Sequence, residues 1–273
     1  LADQSKTKGA LGMDSLFQHF RKDEQPFIEQ VSGWMIDVED RYTPKLTDFL
    51  DPRQRFIVQS VLGSSEIQMA ASGLFEDAER QRVLLYPSYY EVQKEDFRIT
   101  VYELKYPTKF VTLQHPEVLG SMMAIGLDRS KFGDIRIDGQ TIQLAVADEV
   151  SAYLHANFTS ASKVKVHLEE VANEEEFLTV KEEWSEENHT VSSMRLDTVM
   201  SSVYNISRQK ASSLITGGKV KVNWTVQEQA SFELHESDML SSRGLGRVKV
   251  LAVEGRTKKD KIRLQIGRLE SNK

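Results

Sequence analysis

In residues 194–247 the spacing of apolar side chains changes from a helical period to a strand period, and two glycines mark the change. Leu196, Val199, Met200 and Val203 fall at i, i+3, i+4 and i+7, one apolar stripe on a short helix. Asn205-Ile206 breaks that pattern. Ser207 is a good N-cap for a second helix, because its hydroxyl accepts from an N–H that the helix leaves orphaned. Ala211, Leu214 and Ile215 then face the first helix. Gly217-Gly218 stops the second helix, since glycine takes the left-handed C′ conformation without strain. From Lys219 to Asn223 lysine and valine alternate, so a strand here turns both valines inward and both lysines outward. The stretch therefore predicts two short packed helices leading into a strand edged with cations.

The charge distribution says what such a surface attracts. The whole chain carries a net −6, which by itself argues against a nucleic-acid partner. From Met194 to the end, however, 15 Lys and Arg stand against 8 Asp and Glu; before it, 20 stand against 33. A module of +7 is thus joined to a body of −13, and the positive field is concentrated at one end. Arg208 and Lys210 fall in the first turn of the second helix, where backbone N–H groups also attract anions. The combination suits phosphate.

The order Arg195-Leu196-Asp197, Ser207-Arg208, Ala211, Leu214-Ile215, Gly217-Gly218, Val220, Val222-Asn223, Asp238, Leu240, Ser242-Arg243-Gly244 and Gly246-Arg247 closely resembles the αL RNA-binding domain named after the fourth small-subunit ribosomal protein, the S-four domain. The resemblance covers about the last third of the chain. It implies RNA contact by Arg195, Ser207, Arg208, Lys210, Lys219, Lys221, Asn223, Ser242 and Arg243, with Asp197 and Asp238 in structural roles.

The preceding chain reads as α+β. Residues 1–12 have the look of a leftover of cloning, with Met13 as the expected native start. Residues 13–88 form a first α+β unit: Phe27, Val31, Trp34, Met35 and Val38 make a helical stripe, and 46–52 reads as a turn into a helix carrying Phe56, Ile57 and Val61. Short strands are expected at 67–71 and 82–86, flanking a solvated acidic turn at Glu76, Asp77 and Glu79. Residues 89–178 read as β-α-β-β-α-β, the split βαβ plan shared with the RNA-recognition motif. The alternation Phe97, Ile99, Val101 slips to Tyr102, Leu104, which suggests a bulge or strand end, and 110–113 is a candidate continuation of the strand. Asp138-Gly139 predicts the hairpin. The strand 142–146 shows only Gln143 and Ala145 on its second face, where an RNA-recognition motif needs stacking aromatics, so the plan alone grants no base reading. Arg129, Lys131 and Arg136 are secondary candidates for RNA contact. Residues 179–193 are an acidic linker or edge strand before the basic domain at 194–273; residues 169–187 hold nine glutamates around Trp184.

Beyond its last third, the chain from Met13 onward is similar to the YlmH family of Gram-positive bacteria. The residues that carry this likeness are 17–24 (FQHFRKDE), 46–53 (LTDFLDPR), Ala78-Glu79-Arg80 with Leu85-Tyr86-Pro87, Leu119-Gly120-Ser121 with 131–135 (KFGDI), and 257–261 (TKKDK). The family resemblance implies an RNA-binding protein encoded near cell-division genes and associated with the large ribosomal subunit. It implies that the last domain holds peptidyl-tRNA and 23S rRNA during quality control of stalled translation, while a tail is added to the nascent chain. Protein partners in quality control or cell division come with it.

Two other classes compete with this reading. S-four domains ride on pseudouridine synthases and tRNA synthetases, and Arg195-Leu196-Asp197 imitates a synthase triplet. Here that triplet opens a helix inside the RNA-binding domain, and no phosphate loop or synthetase signature is present elsewhere. The absence of cysteine removes disulfides and thiolate metal sites, and the six histidines form no HxxxH pair, so neither enzyme, metal nor cofactor is expected. A division-linked protein, binding a partner through the acidic part, is the third class. No apolar run approaches the roughly 20 residues of a membrane span, and a reducing cytoplasm is the expected compartment.

Overall fold

The computed structural model describes residues 20–179 and 184–269; residues 1–12, read above as a cloning remnant, lie outside them. The chain separates into two compact units at residue 180.

In the first unit, helix α1 (Gln25–Arg41) ends on Tyr42 at φ 51°. Strand β1 (Lys45–Leu50) and helix α2 (Pro52–Leu62) follow, then strands β2 (Ile67–Ser72) and β3 (Gln81–Pro87). The strands form an antiparallel sheet in the order β1-β3-β2. Val31 and Val38 of α1, and Val58 and Leu62 of α2, pack on Leu50, Ile67, Val83 and Leu85. Asp51 caps α2 through a reciprocal box with Gln54. Residues 46–50 correct the expectation of a turn. They are a strand with a register shift between Leu46 and Phe49, and the Thr47 hydroxyl there accepts the N–H of Val83 at 3.0 Å. Asp48 and Pro52 gave the turn signal, but the strand ends only at Leu50, where Asp51 begins the cap. Beneath α2, the Arg53 guanidinium forks onto Glu24 at 2.8 and 2.9 Å, with both side chains almost wholly buried.

The βαββαβ plan appears as strand β4 (Ile99–Lys105), helix α3 (His115–Ala124), strands β5 (Phe132–Asp138) and β6 (Thr141–Ala147), and helix α4 (Asp148–Asn157). A two-residue pair, β7 (Ser160–Ala161) with β8 (Val164–Lys165), precedes β9 (His167–Glu170). The sheet order β5-β6-β4-β9 puts the first and third strands of the plan in the middle. Residues 110–113 are loop, not strand. The slip of apolar phase at Val101-Tyr102 is no bulge either: β4 pairs with β6 in continuous register from Ile99 to Glu103. Both residues are buried because both sheet faces are covered. Tyr102, Leu104 and Leu144 face the layer of Met122 and Leu154. Val101, Ala145 and Ala147 face Phe49, Phe75 and Ala78 of the preceding sheet and its β2–β3 loop.

The second unit holds strand β10 (Ser185–Val191), helices α5 (Leu196–Val203) and α6 (Arg208–Thr216), and strands β11 (Val220–Val222), β12 (Thr225–Val226), β13 (Met239–Ser242), β14 (Gly246–Arg256) and β15 (Ile262–Leu269). They form a six-stranded sheet in the order β10-β15-β14-β13-β11-β12, so the acidic stretch supplies its edge strand β10. Leu196, Val199, Met200, Val203, Ala211 and Ile215 are all 0–1 % exposed and pack on Val220, Val248, Val250, Leu264 and Ile266.

Candidate RNA interface

The turn between the two helices of the second unit is built by its own side chains. Asn205 takes φ 50°, and the Ser201 hydroxyl donates to the Ile206 carbonyl at 2.7 Å. Ser207 then caps α6 by accepting the N–H of Lys210 at 3.1 Å. This fixes the place of Arg208 at the first residue of the helix.

Asp197 ties that residue to the other helix. Its Oδ1 and Oδ2 accept Nε and Nη2 of Arg195, both at 3.1 Å, and Oδ2 also accepts Nε of Arg208 at 3.0 Å. Thr198 Oγ1 donates to Oδ1 at 3.2 Å. The carboxylate side chain is 7 % exposed, whereas its arginine partners are 42 % and 56 % exposed. Burial alone would raise the Asp197 pKa; the hydrogen bonds and charges of Arg195 and Arg208 overcome it and hold the carboxyl at about 2. A buried anion thus orients two guanidinium groups whose remaining donors face outward.

Lys210, Lys219, Lys221 and Arg243 are exposed and form no ion pair among the described residues. Gly218 at φ 66° ends α6, Lys219 N–H returns to Leu214 O, and Arg243 N–H bonds Lys219 O at 3.2 Å. The backbone therefore holds Lys219 and Arg243 together beside the end of α6.

Of the nine expected contacts, Asn223 is half-buried and Ser242 is buried. Asn223, at φ 48° in the β11–β12 turn, donates to Asp238 Oδ1 at 2.9 Å and accepts the Met239 N–H at 2.9 Å. Asp238, fully buried, also accepts the His235 N–H at 2.8 Å. Ser242 is 4 % exposed. Asn223 braces the β11–β13 frame, Ser242 is buried in β13, and Ser207 accepts the cap hydrogen bond through its hydroxyl.

The secondary candidates are likewise engaged inside the first unit. Arg129 donates to the carbonyls of Phe132 and Gly133 at 2.5 and 3.2 Å and lies over the Phe132 ring. Lys131 pairs with Asp48 at 2.6 Å and Glu149 at 3.5 Å. Arg136 is 8 % exposed, donates to Glu76 O at 2.7 Å and lies over Phe75. Lys131 and Arg136 fasten the first sheet and its loop to the second, while Arg129 braces the start of β5. Residues 76–79 form a turn with the Glu76 and Asp77 side chains exposed, and its backbone joins that fastening: Asp134 accepts the N–H groups of Glu79 and Arg80 at 2.8 and 2.9 Å. Among the described residues no group of three or more His, Asp or Glu is placed to hold a metal ion, and no helix is long and apolar enough to cross a membrane.

Sequence reasoning missed the link made by Asp197. The signal was available in principle: an aspartate two residues from Arg195 meets an arginine eleven residues on when the helices pack as a hairpin.

Three family models match the chain. Residues 23–90 match the family model described as "YlmH, N-terminal". Residues 92–175 match "Putative RNA-binding domain in YlmH", and residues 194–240 match "S4 domain". A Bacillus subtilis (strain 168) protein named "Ribosome-associated protein quality control protein P2" is 42% identical over 257 residues, covering 94% of this chain and 99% of the relative. The solved structure of "Cell division protein ylmH from Streptococcus pneumoniae" is 31% identical with a TM-score of 0.51, covering 58% of this chain and 96% of that one.

Proposed function

Because the chain belongs to the YlmH family, we propose that it binds RNA of the large ribosomal subunit in the cytoplasm, holding peptidyl-tRNA and 23S rRNA during quality control of stalled translation. The observation that carries this reading is the pair Arg195–Arg208, oriented by buried Asp197 beside Lys210. Guanidinium groups held by a buried carboxylate meet phosphates with their remaining donors and lose less conformational freedom on binding. The quality-control role rests on the name of the Bacillus subtilis relative and on the near-full coverage of both chains.

The protein acts by binding, without catalysis. The aspartate of its Arg-Leu-Asp triplet, which an enzyme reading would make a nucleophile, has both oxygens occupied by arginine donors. The central unit contributes as scaffold, because the sheet face that would stack bases in an RNA-recognition motif is packed against Phe49 and Phe75.

The test is co-sedimentation of the full chain with purified large subunits, comparing the wild type with Arg208→Ala/Lys210→Ala. The wild type pellets with the subunits at low salt and is released as salt rises; the variant is lost at markedly lower salt. Equal retention of the two proteins overturns the assignment of this surface. The pneumococcal relative's name favours a second reading, in which a division-linked protein binds the acidic part of the chain. A pulldown that keeps its protein partner after nuclease treatment would support it.

A further inference from the structure

On the sheet of the second unit, Val248 and Val250 of β14 turn towards the helices and are 0–1 % exposed. Arg247 and Lys249, which alternate with them, stand on the opposite face. The register aligns Lys221 with Ser241, Ser241 with Arg247 and Arg247 with Leu269, one row running across four strands. The adjacent row aligns Lys249 with Gly267 and Gly267 with Glu186. Trp184, immediately before β10, lies over this second row. Its ring centroid is 5.6 Å from the Arg247 guanidinium carbon and 5.5 Å from Lys249 Nζ. Gly267 is the seat: the ring lies over it, and a Cβ there would stand 3.4 Å from the indole Cε3, in ordinary van der Waals contact. Glu186, the acid in these rows, is hydrogen-bonded by Gln265 at 3.2 Å.

We propose that this face is a second RNA surface, on which Trp184 stacks an unpaired base while Arg247, Lys249 and Lys221 hold the flanking phosphates. The proposal rests on the RNA-binding reading above and extends it from the helices to the far face of the sheet. Three features point to an unpaired strand. A half-buried indole on a glycine seat is a platform for one planar group, and a base inside a duplex is already stacked on both sides. Arg247 and Lys249 at the ring put positive charge beside that base, where its phosphate lies. Lys221 and Arg247 lie two strands apart, about 10 Å, a spread that tracks a backbone rather than a single ion. The row is also continuous with the first surface, because Lys221 follows Lys219 by two residues on the strand that leaves α6.

The experiment uses the full chain with Trp34→Phe and Trp224→Phe, which leaves Trp184 as its sole tryptophan. Oligouridylate is titrated at low salt, in parallel with an oligouridylate–oligoadenylate duplex. Trp184 emission is expected to be quenched by the single strand and to change little with the duplex. In the natural background, Trp184→Ala is expected to weaken oligouridylate binding on the order of 10-fold, with Trp184→Phe retaining most of the affinity. Arg247→Ala/Lys249→Ala is expected to make the salt dependence shallower by nearly two phosphate contacts. Melting temperatures of the variants separate a folding defect from a lost contact, and the Phe variant keeps the test decisive if the Ala variant unfolds. Quenching equal for strand and duplex, or no quenching while binding is intact, overturns the proposal. So does undiminished affinity in folded Trp184→Ala. If binding persists, ignores Trp184 and falls with Arg208→Ala/Lys210→Ala, this proposal fails and the helix surface stands. If neither oligonucleotide binds the wild type, this proposal fails, and co-sedimentation with large subunits decides the reading it rests on.

Discussion

Replacing Asp197 by Asn separates electrostatics from orientation, because the two effects on RNA binding have opposite signs. The substitution removes a negative charge from a surface that meets phosphate, which taken alone strengthens binding. It also puts an amide nitrogen, a donor, where guanidinium donors now converge, so one arginine must let go. Re-ordering a released arginine on binding costs about 0.5–1.5 kcal/mol per side chain. With both arginines loosened, the loss is about 1–3 kcal/mol, or roughly 5- to 150-fold in affinity. Stability changes too. The Asp197 carboxyl lies at about 2 in the folded chain against an ordinary value of 3.8. At 1.36 kcal/mol per pKa unit the charged form contributes up to roughly 2 kcal/mol, an upper figure because both partners are half exposed. A folded pKa below the unfolded one gives stability that is present above about pH 4 and is lost as pH falls through about 2. The assay is urea unfolding of wild type and Asp197→Asn from pH 7 down to pH 3, with RNA affinity measured at pH 7. The expected result is a stability gap at pH 7 that narrows towards pH 3, together with weaker RNA binding. RNA binding equal to or tighter than wild type would refute the orienting role, and a gap independent of pH would refute the electrostatic one.

Lys210→Ala should leave the melting temperature unchanged and make the salt slope shallower by about 0.7–0.9, whereas Arg208→Ala should also cost about 1 kcal/mol in urea unfolding, because it takes a charged partner from buried Asp197. Arg136→Ala should lower stability by about 1–3 kcal/mol, through the orphaned Glu76 carbonyl and the lost contact with Phe75, and leave RNA affinity as it was. Gly133→Ala would put a Cβ 2.7 Å from Phe49 Cε1 and 3.3 Å from Ala145 Cβ, so it should cost about 1–3 kcal/mol by the same assay. Glu24→Gln should cost about 3–5 kcal/mol by leaving the buried Arg53 guanidinium without its anion. Burial raises the Glu24 pKa, but Arg53 and Arg21 bring it below its ordinary 4.5, so the contribution is present above that pH and lost in acid below it; unfolding curves at neutral and acid pH read both effects.

The second unit was the most legible part of the chain because its helices and strand each bury one face. A side chain's place could then be read from period alone, as with Val199 and Ile215 inside and Lys219 and Lys221 outside. The first unit was harder for the same reason inverted. Its central sheet buries both faces, so Val101 and Tyr102 are both apolar and the pattern imitates a slipped register. Strand β1 was hidden by polar turn residues whose work is internal: Thr47 bonds a neighbouring strand, and Asp51 caps the next helix. Within the candidate site, exposure was legible for the lysines but partnership was not. Asn223 reads in the sequence as a ligand-facing amide, and nothing there shows its bonds to Asp238 and to the Met239 N–H across the turn. Arg136 was read as a surface cation on a strand whose two faces are both covered.

The covered second face of the central sheet also decides how the first unit comes apart. In β6, residues 142–147 are all buried, and their layer is closed by helices on one side and by the first sheet on the other. Solvent can reach those amides only if one covering layer lifts away, which would bare Val101, Ala145 and Ala147 together. Arg82 adds to that cost, since its guanidinium bonds the Thr47 carbonyl in one sheet and the Arg98 carbonyl and Glu149 carboxylate beside the other. Residues 20–179 should therefore exchange amide hydrogens in β6 only by opening as a whole, and melt in one transition. A protease cut that released the first sheet would then liberate no RNA-recognition fold, only a sheet with an apolar side and a tendency to self-associate.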